Sequence, residues 1–132
     1  MGYVRVLDTD PASTPTEIAQ INIPETTDED FATDFGDLTV HEVEVPRGDP
    51  NEGGPGPDDD LVAYFSWYAG GFRVLDISNP ANPAELGHYI DDAGNNFWSV
   101  PLAEDENGDR IVLASDRDFG LFIFRYTGPL PS

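Results

Sequence analysis

The chain is 132 residues long, room for one domain with a modest core, and without cysteine it cannot rest on disulfides or thiolate metal ligands. Its 26 acidic residues stand against 6 basic ones, all arginine, for a formal charge of -20; this excludes a nucleic-acid groove or an anionic-membrane patch, both of which need concentrated positive potential. With 39% hydrophobic and 11% aromatic residues it still has the material of a folded core, unlike an acidic disordered tail.

Along the chain, short apolar segments alternate with Gly, Pro, Asn and Asp clusters, the pattern of antiparallel strands and turns. The first candidate strand is Tyr3 to Asp8, followed by the turn Pro11-Ala12-Ser13-Thr14-Pro15 and a second strand, Glu17 to Ile23. After the acidic run Asp28-Glu29-Asp30 comes Leu38 to Val45, which carries His41 and Glu42. Arg47-Gly48-Asp49, an integrin-type tripeptide read as coincidence, opens a Gly, Pro and Asp insertion that ends in Asp58-Asp59-Asp60. Leu61 to Tyr68 and Gly71 to Ile77 follow, joined by Ala69-Gly70, and then Glu85 to Ile90, where His88 shares an alternating face with Leu86 and reads as a packed or hydrogen-bonded histidine. Phe97 to Leu102, Arg110 to Ser115 and Gly120 to Tyr126 complete nine strands, with Asn107-Gly108 marking a two-residue type I′ hairpin turn. No stretch holds an i, i+3, i+4, i+7 apolar pattern over three turns, and 12 prolines with 13 glycines would interrupt one. The fold class is all-β and antiparallel.

An internal repeat sets the architecture. Val4-Arg5-Val6-Leu7-Asp8, the proline turn and Glu17-Ile18-Ala19 recur 68 residues later as Phe72-Arg73-Val74-Leu75-Asp76, Pro80-Ala81-Asn82-Pro83 and Glu85-Leu86-Gly87. Leu61 to Ser66 aligns with Ile111 to Ser115, Ser on Ser, and Gly71-Phe72 with Gly120-Leu121, at an offset of 49. With most of the 46–60 insertion removed, one unit is about 50 residues and four strands, the size of a β-propeller blade.

The segment Gly71-Phe72-Arg73-Val74-Leu75-Asp76-Ile77-Ser78-Asn79-Pro80-Ala81-Asn82-Pro83 resembles the LVIVD repeat, in which an apolar strand ending in Asp runs into a D-[IV]-S-[DN]-P-x-x-P turn. Tyr3 to Ala19 is a looser copy, and Asp109 to Tyr126 is similar to the last blade of the LVIVD propellers of choice-of-anchor surface proteins. The resemblance implies the C-terminal blades of a β-propeller and leaves activity open, since the fold hosts many functions. The motif also has a physical reading of its own: Asp8 and Asp76 end strands where a carboxylate can accept turn N–H groups, and the prolines fix φ in the connection.

The strands divide as the end of one blade (1–24), a complete blade with an inserted acidic loop (38–90, insertion 46–60) and most of a further blade (96–127). A propeller needs at least about four blades, so the ring is incomplete, about two and a half blades. Either the chain is part of a longer propeller polypeptide or copies self-assemble, because an open fragment exposes the strand edges that folded proteins avoid.

Candidate chemistry is sparse. His41 with Glu42 is the candidate metal pair, near the mouth of a propeller channel, but one histidine cannot make a His-rich transition-metal site. No cofactor is expected, with calcium or another divalent metal as the exception the acidic loops allow; Asp105 to Asp109 lacks the Glu that an EF-hand needs and reads as a turn. Nucleophilic catalysis has no elbow motif, cysteine or lysine to build on. Trp67, Tyr68 and Trp98 are the candidate ligand-binding residues, placed to stack on a sugar or clasp a peptide at a channel rim. The expected role is a non-enzymatic interaction or scaffolding module, extracellular or at the cell surface, with a protein or carbohydrate partner. The alternatives are a metal-dependent enzyme or ligand site at the channel mouth, and a self-assembling structural subunit. No apolar run reaches bilayer-spanning length, and Met1 to Arg5 shows no signal-peptide core, so an export signal would lie outside this sequence. Arginine in place of all lysine, with so many carboxylates, fits a halophilic surface or simple solubility.

Overall fold

Among the described residues ten strands form where the alternating segments lie. They are β1 (Val4–Asp8), β2 (Thr16–Ile21), β3 (Glu42–Glu44), β4 (Val62–Ser66), β5 (Phe72–Asp76), β6 (Ala84–Tyr89), β7 (Phe97–Ser99), β8 (Leu102–Glu104), β9 (Arg110–Asp116) and β10 (Gly120–Phe124), with a 3-10 turn at Pro24–Thr27. The computed structural model describes residues 2–27, 36–46 and 61–131. The acidic insertion from residue 47 to 60, the Asp28-Glu29-Asp30 run and Arg47-Gly48-Asp49 lie outside the described residues. All pairings are antiparallel and fall into three sheets: β1-β2, β3-β4-β5-β6, and a third in which β9 pairs with β10 on one side and with β7 and β8 on the other. The chain is therefore all-β with four-stranded antiparallel sheets of the blade type, and the described strands do not close a ring.

Two local expectations are corrected. Phe97 to Leu102 is two strands, because Pro101 has no N–H to give the ladder; its carbonyl still accepts the Leu113 N–H at 2.9 Å, which keeps both pieces in line along β9. Asn107-Gly108 is not a two-residue type I′ turn, since Asn107 is not among the residues with positive φ. The Asp105 and Asp109 backbones pair, Gly108 N–H returns to the Asp105 carbonyl at 3.0 Å, and Gly108 sits at φ +82°. That is a three-residue loop closed by a left-handed glycine. The Asp105 carboxylate organises it, accepting the Asn107 and Asp109 N–H groups at 2.8 and 3.0 Å. Those bonds hold the Asp105 pKa below its usual value, and the Arg125 ion pair adds to them.

The sheets stack face to face through β4, which is buried from Val62 to Ser66 on both sides. Ala63, Phe65 and Trp67 turn to one cluster with Leu75, Ile21 and Ile23, flanked by Val4 and Val6 of β1. Val62 and Tyr64 turn to the other with Phe72, Val74, Phe97, Val112 and Ala114, backed by Phe122 and Phe124. Each side chain of this size contributes about 1.5–3 kcal/mol when fully buried, so strict alternation along β4 and β5 is what holds three sheets together.

The repeat is physical as well as sequential. Asp76 Oδ1 accepts the Ser78 N–H at 2.8 Å and Asp8 Oδ1 accepts the Asp10 N–H at 2.9 Å. Both copies shift register at the same place, between Val6 and Leu7 and between Val74 and Leu75. The Arg5–Glu17 ion pair recurs as Arg73–Glu85, the latter at 3.0 Å. Their surroundings differ: Arg5 is 59% exposed and Arg73 fully buried. Arg73 gives Nε to the Gly70 carbonyl at 2.8 Å, and its Nη2 lies 2.7 Å from Glu25 of the 3-10 turn, an ionic contact without hydrogen-bond geometry. Glu25 belongs to the β1-β2 end of the chain, so one sheet supplies the counter-charge for the next.

Candidate functional site

An aromatic cluster sits on one end of the two four-stranded sheets, and its members come from turns and strand starts. His41 immediately precedes β3 and fixes its backbone N–H on the Ser66 carbonyl at 2.9 Å, leaving the ring exposed. Tyr68 lies in the tight turn after β4. There Gly70 N–H bonds the Trp67 carbonyl at 2.7 Å and Gly71 N–H the Tyr68 carbonyl at 3.1 Å. Among the described residues Tyr68 is the one non-glycine residue with positive φ, +42°, a conformation that stores strain and persists only where the surroundings impose it. The surroundings are a bridge to the next sheet: Tyr68 and Phe97 exchange N–H to carbonyl bonds of 3.2 and 3.3 Å.

Trp98 on β7 is 42% exposed. Its ring lies 4.0 Å from the His41 ring, Tyr68 is edge-on to His41 at 5.4 Å and to Trp98 at 6.1 Å, and the Arg117 guanidinium lies 5.1 Å from the Trp98 ring centre. Beneath the rings, buried Ser66 ties three strands, accepting the Glu42 N–H at 3.0 Å and donating to the Trp98 carbonyl at 2.9 Å. The Glu42 carboxylate accepts the Val100 N–H at 2.7 Å.

The same repeat that builds the sheets builds this rim. Ser66 faces Glu42 across its ladder and Ser115 faces Ser99, so His41 and Trp98 hold equivalent positions, each one residue earlier. Tyr68 and Arg117 are equivalent at the offset of 49. The rim is thus two like pairs, His41 with Tyr68 and Trp98 with Arg117, set side by side.

Of the residues singled out from the sequence, Tyr68 and Trp98 meet, and His41 joins them as a stacking partner. Trp67 is a correction: it is fully buried in the inter-sheet core beside Phe65, because it continues the inward parity of Ala63 and Phe65, and it cannot stack on a ligand. His41 and Glu42 point to different tasks, one to Trp98 and the other to the Val100 N–H. Among the described residues no three His, Asp or Glu side chains converge as a metal donor set. His88 on β6 hydrogen-bonds Glu85 at 2.7 Å and is half exposed, and it makes no ring contact with the rim residues among those described. Arg117 was not singled out by composition or motif, although its alignment with Tyr68 was available in the offset that pairs Ser66 with Ser115.

The described cavities lie elsewhere. A groove of about 660 Å³ runs between β3 and β8, lined by Val43, Glu44, Leu102, Glu104 and Arg110 among others.

Residues 63–91, from β4 through β6, match the family model described as LVIVD repeat, so the chain carries an LVIVD repeat. No curated protein and no solved structure matches the chain. No helix among the described residues is long and apolar enough to cross a membrane.

Proposed function

We propose that this LVIVD-repeat chain is a non-enzymatic interaction module of a secreted or cell-surface protein, whose β-propeller blades hold the His41, Tyr68 and Trp98 rings toward a protein partner. The observation that carries the reading is the rim itself: the exposed rings of His41 and Trp98 and the half-buried ring of Tyr68, from two sheets, packed on one another while their neighbours Trp67 and Phe97 are fully buried. Clustered aromatics on a rigid support give large contact area at small entropic cost, the composition of interface hot spots.

The chemistry of the partner follows from two features. The formal charge of -20 draws cationic surfaces and speeds encounter with them. Arg117 shows that the Trp98 face accepts a guanidinium, a cation–π contact that grows to about 2 kcal/mol when desolvated. A protein segment presenting Arg beside an aromatic residue therefore suits the rim. A neutral sugar is the second reading, favoured by the exposed flat indole of Trp98. Titration with an Arg- and Tyr-containing peptide and with a neutral oligosaccharide tests both. The expected result is binding by the peptide that falls at least about tenfold in Trp98→Ala and His41→Ala, with unchanged far-UV circular dichroism. Equal binding by parent and both variants would overturn the reading.

A further inference from the structure

The rim carries one arrangement twice. In each four-stranded sheet a residue at the start of the first strand is met by one from the turn after the next: Tyr68 meets His41 and Arg117 meets Trp98. The two caps are held differently. Tyr68 is half-buried, its backbone is bonded to Phe97 in both directions, and its ring touches His41 and Trp98 alike. Arg117 is exposed, and what fixes it is its backbone, whose N–H donates to the Asn96 carbonyl at 3.0 Å.

The partner of the Arg117 side chain is unusual for this chain. Arg5, Arg73 and Arg125 all sit against carboxylates. Among the described residues the Arg117 guanidinium meets the Trp98 ring and no carboxylate. The acids on either side of it are engaged by the turn. Asp116 accepts the N–H groups of Asn96, Asp118 and Phe119 at 2.7, 2.9 and 3.0 Å, and Asp118 accepts the Asn96 side-chain amide at 3.0 Å.

We infer that Arg117 is a removable cap on Trp98, an internal competitor that the arginine of a partner segment displaces; this rests on the reading of the rim as a protein-binding surface. An indole has two faces, and His41 already stacks on it at 4.0 Å. A guanidinium arriving within cation–π range therefore meets Arg117 or its charge, and like charges so close oppose each other. Of the two groups on the indole, Arg117 is the one that yields. His41 is packed against Tyr68 as well as Trp98, whereas the Arg117 side chain can swing away while Asp116 keeps the turn closed. Binding is then an exchange of one guanidinium for another, and the net gain at Trp98 is small. The affinity comes from what the segment adds on His41 and Tyr68, so an arginine without an aromatic neighbour is a poor ligand.

The test uses the full chain as parent, Arg117→Gln, Arg5→Gln and Trp98→Leu, each titrated with the Arg- and Tyr-containing peptide at about 0.15 M salt. Arg5→Gln removes the same charge from an exposed position paired with Glu17, and so controls for net charge. Arg117→Gln is expected to bind about two- to fivefold tighter than the parent, the strength of one exposed cation–π contact, and Arg5→Gln like the parent. The Arg117 Nε–H signal, displaced by the indole ring current in the free parent, should move at saturation toward its position in Trp98→Leu. Should Trp98→Leu perturb the fold, the two glutamine variants decide alone. Equal or weaker binding by Arg117→Gln, with the parent still binding, overturns the cap and leaves the rim reading standing. Matching gains in both glutamine variants overturn it too, since net charge would then account for them. An absence of binding by every form defeats the rim reading and this inference together.

Discussion

Arg73 and Arg5 are the same residue of the repeat in two environments, and they separate a buried ion pair from an exposed one. Arg73 is enclosed by Glu25, Glu85 and the Gly70 carbonyl, so Arg73→Ala leaves two carboxylates without their cation and is expected to cost about 3–5 kcal/mol. Arg5→Ala loses a pair in open solvent and should leave the urea midpoint nearly unmoved; comparable losses in the two variants would contradict this. Carboxylates in turns give a pH signature. Asp76 and Asp105 have folded pKa values below the unfolded ones because turn N–H and hydroxyl groups favour the ionised form. The unfolded chain then binds more protons at low pH, so this stability is complete above about pH 4 and is lost as pH falls through the lower folded values. Asp105→Asn should flatten the acid limb of a pH–stability curve measured in high salt, and an unchanged limb would contradict it. Alternation along a strand turns one member of each pair Trp67/Tyr68 and Phe97/Trp98 inward; which one depends on the parity of the whole strand, which puts Trp67 with Ala63 and Phe65 in the core and ends at the Tyr68 turn.

At the scale of the element, the turns were the least legible part. A glycine marks a left-handed position, but the sequence does not say what lies around it. Gly71 and Gly108 have nearly the same φ, +85° and +82°. A Cβ on Gly71 would run into the Tyr89 carbonyl and Ile90, whereas Gly108 faces open space. Gly108→Ala is expected to lose about 1 kcal/mol for conformation alone, and Gly71→Ala several times more, because β5 and β6 must also move apart. Thermal unfolding of the two variants checks the ranking, and equal losses would contradict it. The strand split at Pro101 was readable from proline's missing donor, yet β9 reaches across the break, and that bridging belongs to tertiary pairing.

For the whole molecule, the all-β class, the four-strand unit and the LVIVD signature were written in the sequence, because spacing and turn chemistry repeat with the blades. The rim was half legible: Tyr68 and Trp98 stood out as aromatics, whereas His41 as a ring partner and Arg117 as the cation emerge only when two blades lie side by side. The acidity also acts at this scale. A charge of -20 on 132 residues opposes compaction, so the unfolding midpoint should rise between about 0.1 and 3 M NaCl as repulsion is screened, and a flat response would remove the halophilic reading. The central claim is that the paired rings form the binding surface, and the indole N–H signals of the two tryptophans test it most directly. Titrated with the Arg- and Tyr-containing peptide, the Trp98 signal is predicted to shift while that of buried Trp67 stays in place, and the shift should vanish in His41→Ala. A Trp98 signal unmoved by peptide and by neutral oligosaccharide alike would contradict the claim.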